Sequence, residues 1–189
     1  MASVRLLRVI VLAIAVFAAA MAVSAGDTAP SPCHDLKAVD FANMKLDIPG
    51  WGEVKLSDGV GYASEDPDFS ESKDWKIIIG QDDIIRPSLS VTIRLLIVNC
   101  NHLTGSGAWD HVLIYCCRKG KLVRIFQECL PSGVRIQKAN DELTFTYAEW
   151  TKADPHCCPS LERISKYRWN QGAKTYILVK SSVHPRKKD

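Results

Sequence analysis

What most narrows the fold of this chain is a succession of short runs rich in β-branched and aromatic residues, with almost no helical periodicity between them. The runs cover residues 53–56, 75–79, 90–98, 111–117, 121–127, 133–138, 143–150, 163–169 and 175–179. Three pairs of them are joined by Arg118-Lys119-Gly120, by Ala139-Asn140-Asp141-Glu142 and by Asn170-Gln171-Gly172-Ala173, and each junction predicts a β-hairpin. The stretch from Ile93 to Val98 reads as a strand buried on both faces. The expected fold class is therefore mostly β: an antiparallel meander of hairpins forming a curled sheet or partial barrel. One short N-terminal helix at most is expected, within residues 33–44, ahead of the turn Ile48-Pro49-Gly50-Trp51-Gly52. Residues 62–74, rich in Asp, Glu and Ser, predict an exposed loop. No internal repeat is visible.

The N-terminus predicts export. Arg5 and Arg8 precede an uncharged apolar run from Val9 to Val23, and Val23-Ser24-Ala25 supplies the small residues of a cleavage site. Residues 1–25 are expected to be a signal peptide, 26–32 a flexible lead-in, 33–182 a single β-rich domain and 183–189 a basic tail. The apolar run is short for an uncleaved anchor, so no stable membrane span is expected after cleavage. Without Arg5 and Arg8 the formal charge falls from +3 to +1 over the remaining 164 residues (189 less 25). Lys and Arg are scattered among Asp and Glu, a pattern that argues against a nucleic-acid surface.

All seven cysteines, Cys33, Cys100, Cys116, Cys117, Cys129, Cys157 and Cys158, follow the predicted cleavage point, so each is a disulfide candidate in an oxidising compartment. An odd number leaves at least one free or bonded between chains. The densest motif is Asp154-Pro155-His156-Cys157-Cys158-Pro159-Ser160. Its two cysteines have three options: to bond to each other, to bond elsewhere, or to bind a metal together with His156. A bond between neighbours is geometrically awkward and easily reduced, because successive Cα atoms lie about 3.8 Å apart and ordinary disulfides span about 4.4–6.8 Å. Zinc or copper suits two thiolates and an imidazole, yet adjacent ligands lack the usual two-residue gap. Structural crosslinking, vicinal or not, is the leading expectation, and no cofactor is implied. Cys116 and Cys117 fall inside a predicted strand, which should send one thiol inward and the other outward.

Residues 99–110 predict a polar strand connection. Asn99, Asn101 and Asp110 could serve a calcium loop there, but one carboxylate is few for that ion. His34, His102, His111, His156 and His184 stand in no nucleophile spacing. Trp109, Trp150 and Trp169 could line a pocket, although strand aromatics more often belong to a core.

Gly105-Ser106-Gly107, the strand Asp110-His111-Val112-Leu113-Ile114-Tyr115, the Asp154–Ser160 motif and Tyr167-Arg168-Trp169 occur in an order that resembles a domain of bacterial secreted proteins and lipoproteins. In that domain an Asp-Pro-x-Cys-Cys-Pro-Ser/Thr motif precedes a Tyr-Arg-Trp/Leu strand; some LppP/LprE-type lipoproteins are similar in the first part. The resemblance covers about residues 95–179 and implies no assigned activity. The functional expectation is an exported, non-enzymatic envelope or extracellular domain that binds a partner not named by the sequence. The alternatives are a metal-binding or thiol-redox protein using Cys157 and Cys158, and a hydrolase whose site is assembled from distant strands. Export has a direct check: mass analysis of protein secreted from the full-length chain should find a mature form starting near Gly26, and a cytosolic product of full mass would refute it.

Overall fold

A computed structural model describes residues 33–64, 73–105, 107–155 and 157–186, so the predicted signal peptide and lead-in lie outside the described residues. The strands are β1 (Lys45–Ile48), β2 (Gly52–Lys55), β3 (Val60–Ala63), β4 (Trp75–Ser88), β5 (Val91–His102) and β6 (Ala108–Arg118), followed by β7 (Lys121–Pro131), β8 (Arg135–Ala139), β9 (Glu142–Glu149), β10 (Leu161–Asn170) and β11 (Thr175–Pro185). β1 and β2 form a hairpin. β3 to β7 form a five-stranded sheet in chain order, and β8 to β11 a four-stranded one. Every pairing is antiparallel, and register shifts in β4, β6 and β10 bend the long strands so that the sheet curls. The mostly β meander expected from the sequence is the observed fold. At the β6–β7 turn Lys119 and Gly120 both have positive φ, 51° and 75°, as a two-residue hairpin turn matched to strand twist requires.

Within the one short helix at most that the sequence allows, residues 33–44 hold two single 3-10 turns, Leu36–Ala38 and Phe41–Asn43, and three other local expectations are corrected. Asp35 and Asp40 each accept a hydrogen bond from the amide two residues on, at 2.9 and 3.2 Å, and this local bonding starts two turns where one helix would need an unbroken ladder. Residues 99–110 are mostly strand: Asn99 pairs with Asp110, Cys100 with Trp109 and Asn101 with Ala108, leaving only 103–107 as the connection. Tyr62 and Ala63, assigned to a loop, end β3; residues 65–72 lie outside the described residues. The basic tail begins later than expected, since Leu161 pairs with Pro185 and carries β11 through that residue. In the three strand cases sheet pairing carries residues that the sequence assigned to a connection, a loop or a tail.

The five-stranded sheet is covered on both faces. Along β5, Ile93, Leu95 and Ile97 enter one core while Leu96, Val98 and Cys100 enter the other; along β6, Val112, Ile114 and Cys116 oppose Leu113 and Tyr115 in the same way. The first core is closed by Leu143, Phe145, Tyr167, Trp169 and Tyr176 of the four-stranded sheet. The second is closed by Leu36, Phe41, Leu46, Ile48, Val54 and Leu56 of the N-terminal segment. Double-sided burial explains why the β5 run lacks the apolar–polar alternation of a half-exposed strand.

The N-terminal cover has little secondary structure and is held by specific links. Arg94 reaches from β5 to both Asp82 carboxylate oxygens at 2.5 Å and donates to the carbonyls of Leu36 and Val39 at 3.0 and 2.8 Å, with its guanidinium 5.0 Å from the Phe41 ring centre. Arg124 of β7 bonds the Asp47 carboxylate at 2.8 Å. Cys33 is disulfide-bonded to Cys117, and its amide donates to the Gly120 carbonyl at 2.8 Å. Cys117 and Cys116 do have different fates, but neither simply faces outward: Cys116 enters the core on the opposite face.

The Cys33–Cys117 bond spans 84 residues. A Cys33→Ala, Cys117→Ala protein should lose about 4 kcal/mol of unfolding free energy in urea titration, as loop-closure entropy implies for a ring of this length. A loss under about 1 kcal/mol would show that the cover is held by its packing alone.

Candidate functional site

The start of β6, the β7–β8 connection and the β9–β10 loop meet at one end of the molecule. Trp109 and Trp150 stand there with 43% and 41% of their surface exposed, whereas Trp169 is buried in the core. Both exposed tryptophans border an open hollow of about 460 Å³, with Pro131, Lys152 and Asp154 on its rim. Trp150 also borders a second hollow of about 390 Å³, lined in addition by Arg135, Tyr147, Cys157, Glu162 and Arg186. Sequence reasoning named both tryptophans as able to line a pocket but favoured the core for them. Trp109 is second in β6 and Trp150 lies just past β9.

Two aspartates shape the backbone around these hollows. Asp110, buried on β6, accepts from Asn99 Nδ2 at 2.6 Å and from the amides of Gly133 and Val134 at 2.7 and 3.0 Å. Gly133, with φ at 83°, supplies a backbone conformation that other residues rarely adopt, and this aims its amide at the carboxylate. Asn99 and Asp110, weighed from the sequence as calcium ligands, are thus engaged in clamping the β7–β8 connection to the central sheet. Asp154 Oδ2 accepts from the amides of Thr151 and Ser160 at 2.8 and 3.0 Å and from Ser160 Oγ at 3.0 Å. The backbone amides of Ser160 and Thr151 hold its carboxyl at a pKa of about 2. Inside the loop the Cys158 amide donates to the Pro155 carbonyl at 3.0 Å, and the Arg186 amide donates to the Ser160 carbonyl at 2.8 Å, joining the loop to the end of β11.

Cys157 and Cys158 bond to each other on the exposed surface of this loop. With both sulfurs so engaged, neither supplies a thiolate to a metal, and His156 lies outside the described residues. Among the described residues no group of three or more His, Cys, Asp and Glu side chains could hold a metal ion. Cys100, Cys116 and Cys129 are free. Burial pushes the Cys100 thiol up to about 12, and Cys116 and Cys129 are raised from the ordinary thiol value by the same cause. Cys100 and Cys129 lie on β5 and β7, separated by β6. Two strand spacings are about 9.6 Å, which exceeds the roughly 7 Å limit for a disulfide.

The remaining histidines do not converge on the hollows. His111 is buried against Trp51 with ring centres 5.0 Å apart, its pKa is lowered by burial, and its Nε2 has no hydrogen-bond partner among the described residues. His102 packs edge-on to Trp75 at 4.9 Å. His184 Nε2 lies 2.9 Å from Ser182 Oγ on the exposed part of β11, outside both hollows. No protein-family model matches the chain, and neither does any curated protein or solved structure.

The Asp154 lock has a defined pH window. A carboxyl depressed from 3.8 to about 2 contributes its hydrogen bonds fully above the ordinary value and loses them as pH falls through about 2. The amide resonances of Thr151 and Ser160 should therefore titrate together with a midpoint near 2. In Asp154→Asn the same two amides should exchange with solvent at least about tenfold faster at neutral pH, with the thermal midpoint unmoved. Unchanged exchange at both amides would remove Asp154 from its role as the loop's fastener.

Proposed function

We propose that this chain is an exported, non-enzymatic domain that binds an envelope or extracellular glycan on the surface formed by Trp109 and Trp150. The observation that carries the reading is the pair of exposed tryptophans on one open hollow, whereas Trp75 and Trp169, also at strand ends, are buried. An indole face offers a flat apolar platform with a polar edge, which suits the C–H face of a pyranose ring. Thr151, Lys152 and Asp154 border the same hollow and can hydrogen-bond sugar hydroxyls. The hollow is open, as an extended polymer requires, and its backbone is held in advance by Asp110 and Asp154, so little ordering cost falls on binding.

The cellular setting supports the same reading. Residues 1–25 have the pattern of a signal peptide, and the Cys33–Cys117 disulfide is compatible with an oxidising compartment. No helix among the described residues is long and apolar enough to cross a membrane. The Asp154–Ser160 motif and the Tyr167-Arg168-Trp169 strand support membership in the secreted and lipoprotein domain they resemble.

Soluble peptidoglycan strands titrated into the mature protein should quench tryptophan emission and bind with a dissociation constant in the micromolar-to-millimolar range. Trp109→Ala and Trp150→Ala should each weaken binding by at least about tenfold, with circular dichroism unchanged. Binding that survives both substitutions would place the glycan elsewhere, and no binding of any strand would refute the reading.

A further inference from the structure

We propose that the Cys157–Cys158 bond is a thiol-exchange site, opened by a dithiol reductant and remade by the reverse exchange with a disulfide, whose state sets the wall of the hollow beside Trp150. The two disulfides of this chain have opposite characters. Cys33–Cys117 joins the N-terminal cover to β6 across 84 residues, whereas Cys157–Cys158 joins adjacent residues and links no two elements. A ring of eight atoms removes almost no freedom from the unfolded chain, so the second bond does not serve as a stability crosslink. Its position points to a local role. Both cysteines are exposed, and Cys157 lines the hollow of about 390 Å³ together with Trp150, Tyr147 and Pro159.

The loop around the bond is fixed without it. Asp154 fastens Thr151 to Ser160, and Ser160 is tied to Arg186. Opening the ring therefore frees two side chains on a frame that stays in place, which is the arrangement a reversible local change requires. Arg135 and Arg186 border the same hollow, Arg135 paired with the Glu162 carboxylate at 3.3 Å, so Arg186 is the cation that can favour a thiolate there.

The exchange balances as a two-electron step. One thiolate of the reductant attacks Cys157 Sγ, the sulfur–sulfur bond breaks, and Cys158 leaves as a thiolate that takes up a proton. The reductant's second thiolate attacks the mixed disulfide, releasing Cys157 as a thiolate that is protonated in turn. The reductant departs as its own disulfide. The proposal rests on the hollow beside Trp150 and not on what binds there, so a failed glycan titration leaves it standing.

The test is a dithiothreitol titration of the folded, mature protein, after its free thiols are blocked with N-ethylmaleimide, with newly formed thiols trapped by iodoacetamide and mapped by mass. Cys157 and Cys158 should be trapped as a pair at concentrations at least about tenfold below those that open Cys33–Cys117. The melting temperature should not move over that range, and tryptophan emission should change in the wild type but not in Trp150→Phe. A Cys157→Ser, Cys158→Ser protein should fold normally, show the emission of the reduced form and ignore the reductant. Opening of both disulfides together, loss of stability on opening the vicinal one, or reduction with no Trp150-dependent signal would each overturn the proposal.

Discussion

A sheet that is apolar on both faces needs two covers, and the architecture of this molecule follows from how each is supplied. The four-stranded sheet covers one face by ordinary sandwich packing, with Phe145, Tyr167 and Trp169 meeting Ile93, Leu95 and Ile114. The other face is covered by a segment with only a short hairpin and two 3-10 turns to its name, too little regular structure to hold itself in place. Arg94, Arg124 and the Cys33–Cys117 bond do that work from the sheet side, each reaching a different part of the cover. Arg94 combines a two-pronged ion pair with Asp82, two backbone carbonyls and the face of Phe41, a set that a lysine's single ammonium could not reproduce.

The sequence made the strands legible because their side chains are β-branched or aromatic and their turns carry residues suited to positive φ, such as Gly120 and Asn140. Double burial of β5 was legible for the same reason: Ile93 to Val98 leaves no regularly spaced polar position except Arg94, which is itself engaged. The extent of β5 and β6 was not. Asn99, Asn101 and His102 are poor strand formers by composition, and only their pairing with the partner strand carries the ladder through them. β1 and β3, four residues each, escaped, although β2 of the same length was read from residues 53–56.

The site was half legible. The motif around Cys157 and Cys158 stood out in the sequence, yet the residue that organises it, Asp154, could be given no role because its partners Thr151 and Ser160 act through their backbones. Trp109 and Trp150 were visible as residues and hidden as a surface. Whether a strand tryptophan is buried depends on what packs over it, and that is a property of contacts between segments far apart in the chain. Asp110 was weighed as a calcium ligand and set aside for want of further carboxylates, and its actual partners were not visible. A carboxylate beside asparagines is an oxygen cluster until the amides of Gly133 and Val134 claim it.

The placement of the thiols also bears on how the chain matures. Before the sheets close, Cys33 has six other cysteines within reach of a flexible chain, Cys100, Cys116, Cys117 and Cys129 among them. Cys116 is the immediate neighbour of the correct partner, so proximity along the backbone offers no means of choosing between them. Strand geometry does, since forming β6 turns Cys116 and Cys117 to opposite sides, and closing the four-stranded sheet seals Cys116 away. Folding of the meander thus acts as a protecting group, masking Cys100 and Cys116 from oxidation and leaving Cys129 as the one free thiol open to its surroundings.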